Sequence, residues 1–400
     1  MDRTSNSAEI PRFPFAGTDP LRPPAEFAEL RAGQPVARAA LPNGHTVWLV
    51  TRHEDVRRVF GDPRFSRAAV TAPDAPKILP VTTGSKSLFV LDPPEHTRLR
   101  KLVARAFTVR SVEQLRPHVA ELADGMVARM RRAGPPADLV EGLARPLPIT
   151  VICELLGVPD EDHGLFQEWT DLLLTFGQGS AERVRAAVGE LRAYLSELIE
   201  RKRRDPGEDL LSELVAARDS AELLSTEELL AFGQTMLVAG YHATTAEICH
   251  AVLNLAGPPV AELAADPARI PAAVEELLRF SQAGGGVGPI RIAVEDVVIG
   301  GVTVRAGEAV LPCVNSANHD ERVFAAPGTL DLAREHNPHL AFGHGIHHCL
   351  GAHLGRVELQ VVLEALVREL GAFALAEPEQ DLHWSQGRAF RIPEKLRLTW

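Results

Sequence analysis

Apolar residues three and four positions apart recur along most of this 400-residue chain, and that spacing predicts a mainly helical (α+β) fold. The predicted helical runs are residues 54–60, 112–132, 148–156, 181–204, 274–280 and 350–370. The predicted strands, which form small β-sheets, are residues 36–39, 46–51, 295–299 and 302–304. No flexible linker separates these elements, so we expect residues 1–400 to fold as a single large domain with an extended N-terminal segment, residues 1–24.

One helix is predicted to be much longer than the others. The sequence Ser-Thr-Glu-Glu at residues 225–228 is typical of a capping box, and Gly-Pro-Pro at 257–259 ends the run of apolar and small residues. About thirty residues at roughly 1.5 Å each make a rod of about 45 Å. Polar side chains interrupt it too often for a membrane span, which predicts a helix through the core.

Composition and charge narrow the class of protein. The net charge of −11 argues against nucleic acid or an anionic membrane as the main partner. The four cysteines, at positions 153, 249, 313 and 349, have wide and uneven gaps that do not suggest a disulfide framework. Residues 1–24 lack the apolar core of a signal peptide or membrane anchor. We therefore expect a cytoplasmic protein.

The segment with the most chemistry is residues 342–351, Phe-Gly-His-Gly-Ile-His-His-Cys-Leu-Gly. Its glycines allow sharp turns, and Cys349 stands before a predicted helix whose free N–H groups favour a thiolate. A structural cysteine and a metal ligand are both compatible with this pattern. The histidines that could join a zinc site follow no HxxH or CxxC spacing; they are His336, His339, His344, His347, His348 and His353.

The order Phe-Gly-x-Gly-x-His-x-Cys-x-Gly resembles the haem-binding loop of the cytochrome P-450 family, the haem-thiolate monooxygenases. The resemblance covers nearly the whole chain, from about residue 19 to 396. It implies that Cys349 is the iron ligand of haem b (iron protoporphyrin IX) and that His347 pairs with a haem propionate. It also places Phe342 near the ligand sulfur, with Gly343 and Gly351 in the loop. The implied fold places the haem between the long central helix and the helix after the cysteine loop.

Other matches lie upstream. Glu276 and Arg279 correspond to the Glu-x-x-Arg pair that anchors the haem loop in this family, which implies a structural rather than catalytic role. The family's third, basic partner falls at Thr329 here, so that partner is either missing or supplied by a neighbour such as Arg334.

Three further residues correspond to the family's propionate partners: His96, Arg100 and Arg291. Basic residues cluster around the first two, at Arg98, Lys101, Arg105 and Arg110. In the family this helix lies on the face where an acidic electron donor docks, so the resemblance implies a ferredoxin and ferredoxin reductase as partners.

The central helix departs from the family pattern. Ala239 and Gly240 match the small residues that contact the distal haem face. The acid that helps deliver protons is replaced by His242, and the following alcohol by Ala243, while Thr244 lies about 100° further round the helix. His242 is either a proton shuttle or a hydrogen-bonded structural histidine. We consider two hypotheses: substrate or water completes proton delivery, or the enzyme couples radicals instead of hydroxylating.

The resulting expectation is a monomeric oxidase that uses O2 and ferredoxin electrons on a small organic substrate. A bacterial secondary metabolite of aromatic or peptide character is the expected substrate class, by analogy with the family. A peroxide-driven haem enzyme and a non-catalytic haem protein that recruits a carrier protein are the alternatives. The segments expected to line the pocket are residues 67–88, 166–179, the Tyr241 region, 284–290 and 385–390.

Overall fold

Helices form the bulk of the structure, as the apolar spacing predicts. The computed structural model describes residues 10–15, 19–76, 86–174, 180–221, 224–385 and 389–400. Its α-helices are α1 (Ala25–Gly33), α2 (His53–Gly61), α3 (Glu95–Val103), α4 (Val109–Ala133), α5 (Pro146–Leu155), α6 (His163–Leu173), α7 (Ser180–Arg204), α8 (Leu210–Ala221), α9 (Thr226–Leu255), α10 (Pro258–Ala265), α11 (Ile270–Phe280), α12 (Val314–Ala317) and α13 (Ala352–Leu370).

The central helix α9 begins and ends where the sequence predicts. The Ser225 hydroxyl accepts from the Glu228 N–H, and the Glu228 carboxylate accepts from the Ser225 N–H, which completes the capping box. The helix packs against α5, α6, α7, α11 and α13. Most of its side chains are therefore buried on all sides, as its weak amphipathicity requires.

The helix that follows the cysteine loop, α13, is the second main support of the core. It packs along α4 and also contacts α9 and α11. Gly371, with a φ of +69°, ends it in a conformation that glycine adopts without strain. The helix thus joins the cysteine loop to the rest of the core.

Three small sheets flank the helices. The largest has the order β1-β2-β8-β5-β3, with β2 and β8 parallel and the other neighbours antiparallel. Its first two strands, predicted at residues 36–39 and 46–51, form an antiparallel hairpin that pairs Val36 with Val50. The strands are β1 (Val36–Ala40), β2 (Thr46–Val50), β3 (Phe65–Ser66), β4 (Ala137–Asp138), β5 (Arg291–Ala293), β6 (Val297–Ile299), β7 (Val302–Val304), β8 (Ala309–Pro312), β9 (Ala374–Leu375) and β10 (Arg397–Thr399).

Across the described ranges, no single helix is both long and apolar enough to cross a membrane. By length and composition alone α9 and α10 together pass that test, but they meet at a bend of 97°.

Candidate functional site

The cysteine loop depends on two glycines. The Cys349 N–H donates to the Phe342 carbonyl at 2.9 Å, which closes the loop. Gly343 and Gly345 have φ angles of +71° and +73°. A Cβ on Gly345 would lie 2.6 Å from the Phe60 carbonyl oxygen, because the loop runs against the end of α2. The glycine spacing in the sequence is therefore a requirement of this fold.

The environment of Cys349 differs from that of the other cysteines. Cys153, Cys249 and Cys313 are buried in the core, whereas the Cys349 side chain is exposed. Its sulfur nevertheless lies in desolvated surroundings that raise the pKa of the thiol, partly opposed by the Gly351 N–H and the charges of Arg100 and Arg356. The Gly351 N–H and the two arginine charges act in the predicted direction and favour the thiolate, whereas the desolvation of the sulfur opposes them. A metal cation at the sulfur would supply the missing stabilisation.

The predicted propionate partners gather in one place. The rings of His96 and His347 lie 4.3 Å apart between centroids, and His96 is 1% exposed. Among the described residues, both ring nitrogens of His96, Nε2 of His347 and Nε of Arg291 have no hydrogen-bond partner. Buried polar atoms are normally paired, so these donors suit an anion.

Charges at this cluster repel one another. Burial, together with Arg291, His96, Arg67 and Arg100, lowers the pKa of His347 to about 3. Burial, followed by repulsion from Arg291, lowers the pKa of Arg67 to about 9. Buried like charges are costly unless a counter-ion pairs with them. The unpartnered donors therefore fit the two carboxylates of a haem. Arg67, from the expected pocket segment 67–88, adds positive charge beside them while its guanidinium donates to the Phe89 and Ile290 carbonyls.

Arg100 lies beside the cluster but has a protein partner. Its Nη2 donates to the His348 carbonyl at 2.6 Å. This contact ties α3 to the cysteine loop.

Glu276 and Arg279 form the buried ion pair that their spacing predicts. Both side chains are essentially unexposed, at 1% and 0%, and the contacts are 2.7 and 2.8 Å. Arg334 Nε donates to the same carboxylate at 2.9 Å. The Arg279 guanidinium also donates to the carbonyls of Asn318 and Pro327, each at 2.9 Å. The basic partner that Thr329 cannot provide is therefore not missing, because Arg334 supplies it.

A second ion pair supports the loop and was missed from the sequence. Arg356 lies 4.5 Å from the centre of the Phe342 ring and makes a two-point contact with Glu275 at 2.7 and 2.9 Å. His339 Nε2 contacts the same carboxylate at 3.1 Å. Burial alone would raise the pKa of Glu275, but His339 and Arg356 lower it to about 2. The stacked guanidinium holds Phe342 in place. The available signal was an Arg five residues after the end of the loop.

On the central helix, Ala239, Gly240, Ala243 and Thr244 are half-buried, although this is the middle of a core helix. These small residues share one stripe, as predicted. Thr245 lies on the buried side and donates its hydroxyl to the Tyr241 carbonyl at 3.0 Å. Of the two adjacent threonines, Thr244 is thus the one on the accessible stripe.

His242 faces away from that stripe and is buried, with 3% of its side chain exposed. Its Nε2 lies 3.3 Å from Oδ1 of Asp171 on α6. Arg145 Nη1 contacts the other oxygen of Asp171 at 3.2 Å. The structure therefore brings together a charged group that the sequence reasoning did not connect, because Asp171 and Arg145 belong to other helices.

Two carboxyl groups in desolvated surroundings, one half-buried and one fully buried, also lacked any assignment. Burial raises the pKa of Glu247, on α9, to about 7, with a hydrogen bond from Ser281 opposing the shift. Burial raises the pKa of Glu358, on α13, to about 8. Both groups can hold a proton near neutral pH.

The remaining sequence expectations are quickly placed. Among the described residues, no three His, Cys, Asp or Glu side chains could jointly hold a metal ion, so the zinc alternative has no ligand set there. In the expected pocket segment 284–290, Gly285 and Gly286 have φ angles of +67° and +90° and form a tight turn. Of the expected pocket segments, residues 77–85, 175–179 and 386–388 lie outside the described residues.

Comparisons with known proteins match this geometry. Residues 270–398 match the family described as Cytochrome P-450. The chain is 49% identical over 391 residues to nocardicin C N-oxygenase of Nocardia uniformis subsp. tsuyamanensis, covering 97% of this chain and 98% of that protein. It is 46% identical over 396 residues to mycinamicin IV hydroxylase/epoxidase of Micromonospora griseorubida, covering 98% of this chain and 100% of that protein.

A solved structure gives the same result. The crystal structure of cytochrome P-450mel, described as having biaryl coupling reactivity, superposes with a TM-score of 0.93 at 38% identity, covering 98% of this chain and 100% of that chain. Three observations indicate the same family: the cysteine on its glycine-containing loop, the unpartnered nitrogens of His96, His347 and Arg291, and relatives of nearly equal length. The chain belongs to the cytochrome P-450 family and is a haem-thiolate monooxygenase.

Proposed function

We propose that this enzyme binds haem b and uses O2 with electrons from a ferredoxin and its reductase to oxidise a small bacterial secondary metabolite. The observation that carries the proposal is the cluster of His96, His347 and Arg291, whose buried nitrogens lack protein partners, beside the exposed thiol of Cys349. That arrangement suits a flat cofactor that carries two carboxylates and a metal ion, with the Cys349 sulfur as the metal's ligand.

In this proposal the chain's residues divide the work of holding the cofactor. Cys349 ligates the iron, and His96, Arg291, His347 and Arg100 neutralise the propionates. The small residues Ala239 and Gly240 allow close approach on the opposite face. The haem, when bound, supplies the chemistry of O2 activation.

The electron donor is proposed from the surface around α3 and α4. Lys101, Arg105 and Arg110 are exposed, and the neighbouring Arg100 contacts the cysteine loop through the His348 carbonyl. Exposed basic residues beside the ligand loop suit an acidic protein, because complementary charge speeds the encounter of two proteins. A ferredoxin has that character.

Proton delivery is assigned to His242, which occupies the position of the family's usual acid. Ala243 has no hydroxyl, so the enzyme needs another donor near the stripe. Thr244 lies on that stripe, and a bound substrate or water can complete the path. If the path is slow, radical coupling competes with hydroxylation.

The substrate class follows the relatives in outline. Their names describe N-oxygenation, hydroxylation or epoxidation, and biaryl coupling, all on this fold. We propose a substrate of aromatic or peptide character and a reaction that is either hydroxylation or bond-forming coupling. Residues 284–290 and the described parts of the other predicted segments are the proposed pocket walls.

We further propose that residues 1–400 act as one unit, as a cytoplasmic monomer. Packing of α13 along α4 joins the two ends of the chain in one core and supports a single unit.

Two experiments test the proposal. Reduced protein with carbon monoxide is expected to show the Soret band near 450 nm of a thiolate-ligated haem, and Cys349→Ser is expected to lose it while keeping its circular dichroism. A Cys349→Ser protein with an unchanged band contradicts the ligand assignment.

The second experiment separates electron sources. Substrate turnover is measured with NAD(P)H, ferredoxin and reductase, and separately with peroxide alone. The proposal expects turnover in the first mixture. Turnover with peroxide only would support the peroxide-driven alternative instead.

A further inference from the structure

The buried His242 ring has both a carboxylate and an aromatic ring as close neighbours. Its Nε2 lies 3.3 Å from Asp171 Oδ1, and its ring lies 4.4 Å from the ring of Tyr241. Tyr241 is fully buried, so the imidazole is enclosed by protein on that side. At that distance the Asp171 carboxylate is an ion-pair partner for the protonated imidazole.

Asp171 is itself held from the other side. Arg145 Nη1 contacts its Oδ2 at 3.2 Å, so each carboxylate oxygen has one cationic or potentially cationic partner. Arg145 lies directly before α5, at the end of a π-helical turn formed by Val140–Ala144. Such turns are frequent at functional sites.

The contacts continue to the surface. Arg145 Nε lies 3.5 Å from Glu141 Oε1, and the Glu141 side chain is 66% exposed. Glu141 also lines a surface cleft of about 510 Å³. Three consecutive contacts therefore connect solvent at Glu141 with the buried imidazole on α9.

The charges of this group are complementary. Burial alone would lower the pKa of Arg145, but Tyr241, Asp171 and Glu141 raise it overall, so the guanidinium stays charged. The Asp171 carboxylate lies between Arg145 and His242 and can stabilise an imidazolium at His242.

We propose that Asp171 is a positioning residue for proton delivery: clamped by Arg145, it orients His242 and stabilises its protonated form. This rests on the proposed function of His242. In each cycle the imidazolium of His242 gives an N–H proton to a water or substrate oxygen, where an O–H bond forms. A hydronium ion from solvent then returns a proton to the imidazole, so that one of its O–H bonds breaks, and no electrons are transferred. The acid usually carried on the central helix thus has its counterpart on α6.

The first test measures the imidazole directly. In holoenzyme labelled at histidine and held in the diamagnetic reduced carbon monoxide form, the His242 signal is assigned with His242→Gln and titrated by NMR. Asp171→Asn is expected to weaken proton affinity at His242 about tenfold or more, because a carboxylate within 4–6 Å is removed. Arg145→Gln is expected to shift it in the opposite direction. An unchanged imidazole pKa in both variants overturns the proposal.

The second test separates positioning from simple folding. Asp171→Asn is expected to lower product formed per NAD(P)H several-fold in the ferredoxin-driven reaction, yet change peroxide-supported turnover less than twofold. Peroxide carries its own protons. The matched control is Glu190→Gln, which removes a 2.9 Å hydrogen bond to Trp169 on α6 without contacting His242, and both rates should stay unchanged. Equal losses in both reactions of Asp171→Asn overturn the proposal.

His242→Gln distinguishes this inference from the function on which it rests. If His242→Gln keeps normal coupling of reductant to product, the proton role of His242 is wrong and this inference falls with it. If His242→Gln loses coupling and Asp171→Asn does not, only the role of Asp171 is refuted.

Discussion

The cluster around Glu276 offers the sharpest quantitative prediction. Its carboxylate accepts from Arg279 at 2.7 and 2.8 Å, from Arg334 at 2.9 Å, from the Asp331 N–H at 3.0 Å and from Asn337 at 3.2 Å. One buried negative charge thus pairs with two guanidinium groups. The carboxylate is therefore predicted to contribute more to stability than either cation does alone.

The magnitudes follow from what each substitution leaves behind. Glu276→Gln leaves two buried guanidinium groups without a counter-ion, which costs about 3–5 kcal/mol of unfolding free energy. Arg334→Met removes the charge-assisted hydrogen bond to Glu276 and a more exposed one to the Ala325 carbonyl, but it leaves Glu276 paired with Arg279, so about 1.5–3 kcal/mol is expected. Since domains are stable by about 5–15 kcal/mol, the first change removes a large share.

The assay is equilibrium unfolding in urea, followed by far-ultraviolet circular dichroism and by loss of the haem absorbance. Arg131→Met is the matched control, because it breaks an Arg–Glu contact of 3.0 Å whose arginine side chain is 59% exposed. That variant should lose less than about 1 kcal/mol. A loss in Arg334→Met that equals or exceeds that of Glu276→Gln would refute the reasoning.

Two predictions concern other positions. Gly345→Ala should destabilise the holoenzyme by about 2–4 kcal/mol, because the new Cβ would lie 2.6 Å from the Phe60 carbonyl oxygen and the residue would also be strained at positive φ. Gly343→Ala has the same strain but no atom within 4 Å of the new Cβ, so it should cost only about 1–2 kcal/mol. Thermal unfolding with haem retention compares them, and equal losses would contradict the geometry. The folded-state pKa of Glu358, about 8, lies above its unfolded value, so the stability of wild type relative to Glu358→Gln should fall by about 3 kcal/mol as pH rises from 4.5 to 7. Urea unfolding at several pH values measures this difference, and a constant difference would show that Glu358 is not buried as described.

Local chemistry made part of the structure predictable. The capping box at Ser225, the end of α13 at Gly371 and the β1–β2 hairpin depend on residues within a few positions of one another. Cys349 was identifiable for the same reason, because the glycines that shape its loop are its neighbours in sequence. Such short-range signals need no knowledge of the rest of the fold.

Other features were decided only when distant segments packed together. Arg334 pairs with Glu276 across 58 positions, and Arg356 pairs with Glu275 across 81. The sequence marks both arginines as neighbours of the loop or of Thr329, but it does not show which carboxylate each one pairs with. An arginine needs a paired carboxylate only where its charge is buried, because an unpaired buried charge is energetically costly. Burial is a property of the folded chain.

The site shows the same division. The sequence by itself determined the ligand loop, the length of the central helix and the unusual His242 on it. Only the tertiary structure decided that Asp171 of α6 and Arg145 complete the surroundings of that histidine, and that Arg67 joins the cationic cluster. Covalent neighbours set backbone shape over a few residues, whereas charge pairing depends on distances across space that the whole core must establish.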